Sequence, residues 1–334
     1  MNAPPPARIF GIAFATAFAL SACASSGGAA KYLPGLAKTT AVPAAFTFRT
    51  IDDPNGRNNR ITGIRRDGKI VGVYGLTRPS YHSFTSGAPA YDGFNRDDYP
   101  GAGSTYLTSL SNDKYEAGTV FSPPSSLGRR CGTCGVVHFD RGWTVFESPY
   151  EGNGKCAVTI LLGISDTELA VGYDLQGSGT QCVAQAFEAY ADASGEQYLP
   201  LTPPGAVSPV AAGVNNQGSI VGSATFPNGS GTAIDGWYLI NGRYYVFSYP
   251  GSIDTQALGV NESGEVVGTY EDANQKTHGF LLLNPRSKHL KWQTIDAPKS
   301  RGFTVVNGIS GGGDICGWYR GGDDKLHGFV ATPR

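Results

Sequence analysis

The sequence is short of what a helical protein needs. Its single Met is the initiator, and only 16% of its 334 residues are charged, with Lys and Glu sparse. Helix breakers stand in their place: 47 Gly, about twice the usual share, and 21 Pro. Strong helix formers are missing and breakers are everywhere, which excludes a helix bundle. A basic footprint is lacking too. The 26 Lys and Arg against 27 Asp and Glu leave a net charge of −1, which excludes the electrostatic surface a nucleic-acid partner requires. Catalytic templates are absent: there is no Gly-x-Ser-x-Gly, His-Glu-x-x-His, P-loop or EF-hand loop. No apolar run is long enough to span a bilayer as a mature helix, the stretch Ile9 to Leu20 included, at about 12 residues. Disorder is excluded in turn, because 40% of residues are apolar and net charge is near zero. Aromatics are plentiful, with 17 Tyr and 16 Phe. A soluble all-β domain with enough chain to bury a large core is what remains.

One pattern recurs from residue 63 onward: Gly-Ile/Val, a short turn, then Ile-Val-Gly. The copies are Gly63-Ile64…Ile70-Val71-Gly72, Gly163-Ile164…Ala170-Val171-Gly172, Gly213-Val214…Ile220-Val221-Gly222, Gly259-Val260…Val266-Val267-Gly268 and Gly308-Ile309…Ile315-Cys316-Gly317. Ser109-Leu110…Glu116-Ala117-Gly118 is a decayed copy. The intervening turns, such as Asn215-Asn216-Gln217-Gly218, carry residues that tolerate the left-handed conformation of a tight hairpin. Six prolines each have an aromatic six residues earlier: Phe48/Pro54, Phe94/Pro100, Trp143/Pro149, Tyr198/Pro204, Tyr244/Pro250 and Trp292/Pro298. An aromatic strand follows each hairpin, at Phe84, Phe139, Phe187, Trp237, Phe280 and Phe329. The prolines lie 46 to 55 residues apart, a period of short strands and turns that reads as a propeller. Each unit supplies four strands, A to D. The repeats open with a lone D strand, Phe46 to Asp53, and close with a C strand around Phe329. The expected fold is therefore all-β: a six-bladed β-propeller of four-stranded blades over residues 46–334, closed by pairing its N-terminal and C-terminal strands, which removes an exposed edge. A seven- or eight-bladed ring would need spare sequence that is not there.

Two resemblances rest on these residues. Residues 1–22 read as an export signal, with Arg8 before the apolar stretch Ile9 to Leu20, and Leu20-Ser21-Ala22-Cys23 resembles the bacterial lipobox. That resemblance implies diacylation of Cys23 on sulfur, with palmitate-type chains, cleavage before it, and acylation of the new amino end. Ala24, not an Asp, implies the outer membrane, on the periplasmic side or surface-exposed. More than one acyl chain anchors stably. Residues 23–45 continue as an Ala/Ser/Gly/Pro/Thr-rich tether. The Gly-Ile-Asn-x-x-Gly-x-Ile-Val-Gly…His-Gly-Phe pattern, clearest at 213–222, 259–280 and 308–329, resembles the bacterial HAF-type extracellular repeats. That family implies an exported, propeller-like protein and supplies no catalytic residue.

Constellations of chemistry-bearing residues are few. His82, His278 and His327 sit two residues before a strand-C aromatic, with Asp235 in the same slot, one per blade. That spacing points to structural roles; His138 and His289 fall outside the slot. Two residues before the repeat prolines lie Asp52, Asp98, Glu147, Thr202, Ser248 and Asp296, suited to bonding backbone N–H groups at the turn. Cys131, Cys134, Cys156 and Cys182 fall on one face of adjacent blades, where a four-cysteine zinc site and two disulfides compete. An exported compartment favours disulfides, paired 131–134 and 156–182. Cys316 replaces a strand-B Val and reads as a small buried residue.

The channel is lined by strand A. Arg60, Tyr106, Asp254 and Gln256 make its mouth polar in blades one, two and five, and are the candidate ligand contacts. No catalytic residue, metal or cofactor is assigned. The expected function is a non-catalytic, lipid-anchored envelope module, a monomer that binds an envelope protein or glycan and attaches to the membrane through its anchor. The alternative is a propeller-type hydrolase or lyase acting at the channel mouth, and fold alone does not decide between them.

Overall fold

The computed structural model describes residues 46–334 apart from 76–80, 114, 123–131, 141, 179–180, 191–196 and 229–230. The signal and tether expected over 1–45, Cys23 included, lie outside the described residues. The first strand is β1 (Phe46–Ile51). Blade one then contains β2 (Arg60–Ile64), β3 (Ile70–Tyr74), β4 (His82–Ser86) and β5 (Asn95–Arg96). Blade two contains β6 (Ser104–Leu110), β7 (Glu116–Phe121), β8 (Thr133–Phe139) and β9 (Gly142–Phe146). Blade three contains β10 (Thr159–Ile164), β11 (Leu169–Ser178), β12 (Gln181–Tyr190) and β13 (Leu199–Leu201). Blade four contains β14 (Val207–Val214), β15 (Ile220–Asn228), β16 (Gly231–Ile240) and β17 (Arg243–Phe247). Blade five contains β18 (Asp254–Val260), β19 (Val266–Glu271), β20 (Thr277–Leu283) and β21 (Lys291–Ile295). Blade six contains β22 (Thr304–Ile309), β23 (Ile315–Arg320) and β24 (Leu326–Pro333), with β1 as its outer strand. The protein is a six-bladed β-propeller. No helix among the described residues is long and apolar enough to cross a membrane.

The recurring glycines are dictated by close approach. A Cβ on Gly172 in β11 would stand 1.8 Å from the Ile160 carbonyl oxygen of the paired strand. On the inner strands, Gly213 and Gly259 of adjacent blades meet nearly backbone to backbone, a Cβ on Gly213 falling 3.0 Å from the Gly259 Cα. Just before that position every inner strand bulges by one residue, as between Ile61 and Gly63 or Leu161 and Gly163, which bends the strand around the axis. The extra residue aims at the channel: Thr62, Thr108, Leu162, Ala212, Leu258 and Asn307 line its waist.

The prolines are explained as well. Each of the six is the second residue of a β-turn in which the fourth N–H donates to the first carbonyl, as Gly56 to Asp53 and Ser252 to Tyr249. Proline presets that position's φ. In five of these turns the residue before proline also donates its N–H to a side chain leading into the next blade: Asp53 to Asn59, Tyr99 to Thr105, Ser148 to Thr159, Tyr249 to Thr255 and Ala297 to Thr304. Between blades three and four the corresponding residues are Pro203 and Pro209. Neither a donor N–H nor an acceptor side chain exists there, so that link is lost from both sides.

Closure follows the expected route. β1 pairs antiparallel with β24 from Phe46 opposite Pro333 to Ile51 opposite Gly328. The Phe48 ring packs 5.3 Å from Phe329, and Thr50 Oγ1 lies 3.0 Å from the Tyr319 hydroxyl. Blade two departs from the expected aromatic register. The residue facing the strand-B Gly118 is Val136, where other blades place Phe84, Phe187, Trp237, Phe280 or Phe329. Phe139 lies three residues on and packs with Tyr115 instead. Cys134 therefore stands inside β8, in the slot where four other blades carry His or Asp and blade three carries Gln185. The Cys156–Cys182 disulfide is formed, clamping the turn before β10 to the long β11–β12 hairpin. Cys134 is disulfide-bonded, while Cys131, its expected partner, lies outside the described residues. Cys316 is a buried free thiol, and burial pushes its pKa up.

Candidate functional site

Arg60, Tyr106, Asp254 and Gln256 all sit on inner strands as expected, but they form two separate pairs. The Arg60 guanidinium lies 5.7 Å from the Tyr81 ring centre, and Tyr81 meets Tyr106 edge-on at 5.2 Å. Tyr106 is 3% exposed, and burial pushes its hydroxyl up to about 12. Asp254 and Gln256 share β18, in the blade that faces blade two across the axis. Asp254 accepts the Ile234 N–H of blade four, and burial raises its carboxyl above the ordinary value. Gln256 is 8% exposed, and its Oε1 has no hydrogen-bond partner among the described residues. Between the two pairs the channel is filled. Tyr81, Tyr106, Ile160, Leu162, Tyr173, Ala212, Leu258, Val305 and Trp318 form one buried apolar cluster drawn from every blade. Sequence placed the strand-A residues correctly. What it missed was that aromatics from strand B, such as Tyr173 and Trp318, would turn inward and plug the channel.

The slot histidines bond to the acids two residues before the prolines, each within its own blade. His82 Nδ1 lies 2.9 Å from Asp98, His278 Nδ1 2.9 Å from Asp296, and His327 Nδ1 2.7 Å from Asp52. Each imidazole also packs on a strand-B tyrosine, Tyr74, Tyr270 or Tyr319. In blade four the same contact is made by the Ser248 hydroxyl donating to Asp235. Asp98 and Asp52 use their second oxygen to accept a backbone N–H, from Ser83 and Gly328. These groups tie strand C to strand D and lie on the outer part of separate sheets.

The opposite mouth carries a feature not foreseen from sequence. The second residue of each A–B turn, in blade order, is Arg66, Asn112, Asp166, Asn216, Glu262 and Gly311. Their side chains pass hydrogen bonds around the axis. The Arg66 N–H donates to Asn112 Oδ1, Asn112 to Asp166 Oδ1, Asp166 to Asn216 Oδ1 and Asn216 to Glu262 Oε1. Burial works against the Asp166 charge, but donors from Asn112 and Asn216 outweigh it and hold the carboxyl below its ordinary value. The ring ends at blade six, where Gly311 has no side chain. Axial cavities of about 60 and 80 Å³ lie beneath these turns and at the waist.

A fourth cluster bridges blades one and two. His138 Nδ1 lies 3.0 Å from Asp97 Oδ1 and 3.3 Å from Glu116 Oε2, and Lys69 donates to Glu116 Oε1 at 2.8 Å. The His138 ring stacks on Trp143 at 4.2 Å and 9°. Hydrogen bonds to Asp97 and Glu116 raise the imidazole to about 9 against the desolvation of its half-buried ring. His138 lay outside the histidine slot of the repeat, so periodicity gave it no weight. Only the packing of neighbouring blades brings it to Asp97.

No protein-family model matches the sequence, and no curated protein matches it. Solved structures similar in form include the Trypanosoma rangeli sialidase in complex with the inhibitor DANA, at 10% identity and a TM-score of 0.48, over 84% of this chain and 57% of that one. A lectin of Aleuria aurantia, described as a six-bladed β-propeller with a novel fucose recognition mode, has 10% identity and a TM-score of 0.46, over 83% and 92%. TolB of Acinetobacter baumannii has 11% identity and a TM-score of 0.46, over 84% and 65%. The chain thus spans less than two thirds of the sialidase and of TolB.

Proposed function

We propose that this propeller is a lipid-anchored envelope module that binds or scaffolds through its surface and performs no catalysis. The observation that carries the reading is the filling of the channel. A bound organic substrate needs a pocket of about 300–1,000 Å³, whereas the axial cavities lined by the described residues, at the waist and the A–B turns, measure about 60 and 80 Å³. The residues of the Arg60–Tyr106 mouth are committed to packing, and the His–Asp pairs are committed to joining strands. What such a body offers a partner is its outer surface and loops, suited to an envelope protein or a glycan. Cys23 supplies the attachment, on the outer membrane, facing the periplasm or the surface.

Two measurements test this. Membrane fractionation with a labelled fatty acid should show label and membrane retention lost in Cys23→Ser; equal retention without a difference in label refutes the anchor. Purified protein assayed against panels of glycosides and polysaccharides should show no turnover. Turnover lost on substituting Arg60 or Asp254 would instead establish a hydrolase or lyase at that mouth.

A further inference from the structure

We propose that Asp97, Glu116 and His138 form a binding site for a first-row divalent transition-metal ion of the Zn²⁺ or Co²⁺ type, spanning blades one and two. One imidazole nitrogen with two carboxylates is a donor set that suits such ions. The three ligand atoms lie within 4.8 Å of one another, with Nδ1 3.0 Å from Asp97 Oδ1 and 3.3 Å from Glu116 Oε2. Ligands held about 2.0–2.2 Å from an ion stand about 3.0 Å apart at an octahedral edge and about 3.4 Å apart at a tetrahedral one. Both observed separations fall in that interval. A proton on Nδ1 points along one line and serves one carboxylate well. An ion between the three atoms serves both.

The supports are rigid. Glu116 and His138 face each other across the β7–β8 ladder, and Trp143, opposite His138 on β9, fixes the ring plane by stacking. Asp97 directly follows β5 and is tied by its N–H to the Ser83 carbonyl. The His138 side chain is 30% exposed, which leaves an approach for the ion and room for water as further ligands. Lys69 occupies only Glu116 Oε1, so Oε2 remains for coordination. Its charge opposes a cation at the site, and this supplies a directional test.

The experiment is a Co²⁺ titration of the purified protein, without a polyhistidine tag, followed by tryptophan fluorescence and calorimetry, with Zn²⁺ as competitor. One ion should bind, quenching a component that Trp143→Phe removes. His138→Ala should abolish saturable binding, and Asp97→Asn should weaken it at least about tenfold. Lys69→Gln should tighten binding by about threefold or more, because a positive charge near the ion is gone. A cluster that only joins two blades would lose stability in Lys69→Gln and gain no affinity. Circular dichroism and melting of each variant confirm folding. Absence of one-to-one binding to the folded wild type overturns the assignment. So does unchanged affinity in His138→Ala, or no gain in Lys69→Gln.

Discussion

Gly311→Asn should stabilise the protein, because it extends a hydrogen-bond ring to the blade where it stops. In four of the blade junctions, a side-chain oxygen at this turn position accepts the N–H of the equivalent residue one blade earlier. Residue 311 has no side chain to accept the Glu262 N–H. The backbone there permits one: Gly311 does not lie at positive φ, and a Cβ would find its nearest neighbour at Arg66 Cδ, 3.9 Å away. A new hydrogen bond contributes about 0.5–1.5 kcal/mol, toward the lower end at so exposed a turn. Removing glycine from the unfolded chain adds about 0.4–1 kcal/mol. Together these give about 1–2 kcal/mol, and for a domain of this size each kcal/mol moves Tm by about 2–4 °C. Gly311→Ala carries the entropic part alone. Reversible urea melts of wild type, Ala and Asn variants separate the two contributions. If Asn is no more stable than Ala, the side-chain ring does not act through this position and the reasoning fails.

Other expectations follow from the same contacts. Deleting 24–45 should leave melting unchanged, whereas deleting 24–53 should strip β24 of its partner, unpack Phe329 from Phe48, and replace cooperative unfolding with aggregation; identical melts would show that β1 does not close the ring. Burial, with the nearby Glu147 and Asp174 carboxylates, raises Glu151 to about 7 against the Thr159 hydrogen bond. A carboxyl with a raised folded pKa contributes stability that is complete below the unfolded value, about 4.5, and is lost as pH rises to about 7. Stability across that window should therefore fall less steeply in Glu151→Gln than in wild type, and parallel curves from chemical denaturation would exclude the effect. Non-reducing mass mapping should recover the 156–182 pair with Cys316 as a thiol. Replacing both Cys156 and Cys182 by Ser should cost about 2–4 kcal/mol, and an unchanged midpoint would argue that the clamp is dispensable.

Blade number, hairpins, proline turns and closure were legible because each depends on residues with few substitutes. Gly172 admits no Cβ beside the Ile160 carbonyl, and Pro54 or Pro250 presets the φ of its turn. Where chemistry tolerates exchange, the signal fades. Val136 fills the core beneath Gly118 as an aromatic does elsewhere, so the aromatic pattern of blade two points three residues late, to Phe139. The ring at the A–B turns uses Asn, Asp and Glu interchangeably, since each presents an oxygen, and a pattern built on residue identity passes over it. The Asp97–Glu116–His138 cluster joins residues from two blades, and no periodicity within one blade points to it. The plugged channel depends on which way Tyr81 and Trp318 turn, a matter of packing across all six blades.

The strand that shuts the ring is the earliest of the described strands to be synthesised, and its partner is the latest. Thr50 meets a residue 269 positions further on at Tyr319, and Thr47 one 287 positions away at Arg334. Until β24 exists, β1 has no edge to join, and blade six stands as an open sheet whose backbone groups can recruit other chains. The joint therefore acts as a check on completeness: a chain cut short at 325 leaves β1 unpaired and bares β23, and one that has lost its first strand bares β24. Both should meet the same fate of aggregation or proteolysis, although the two lesions lie at opposite ends of the polypeptide.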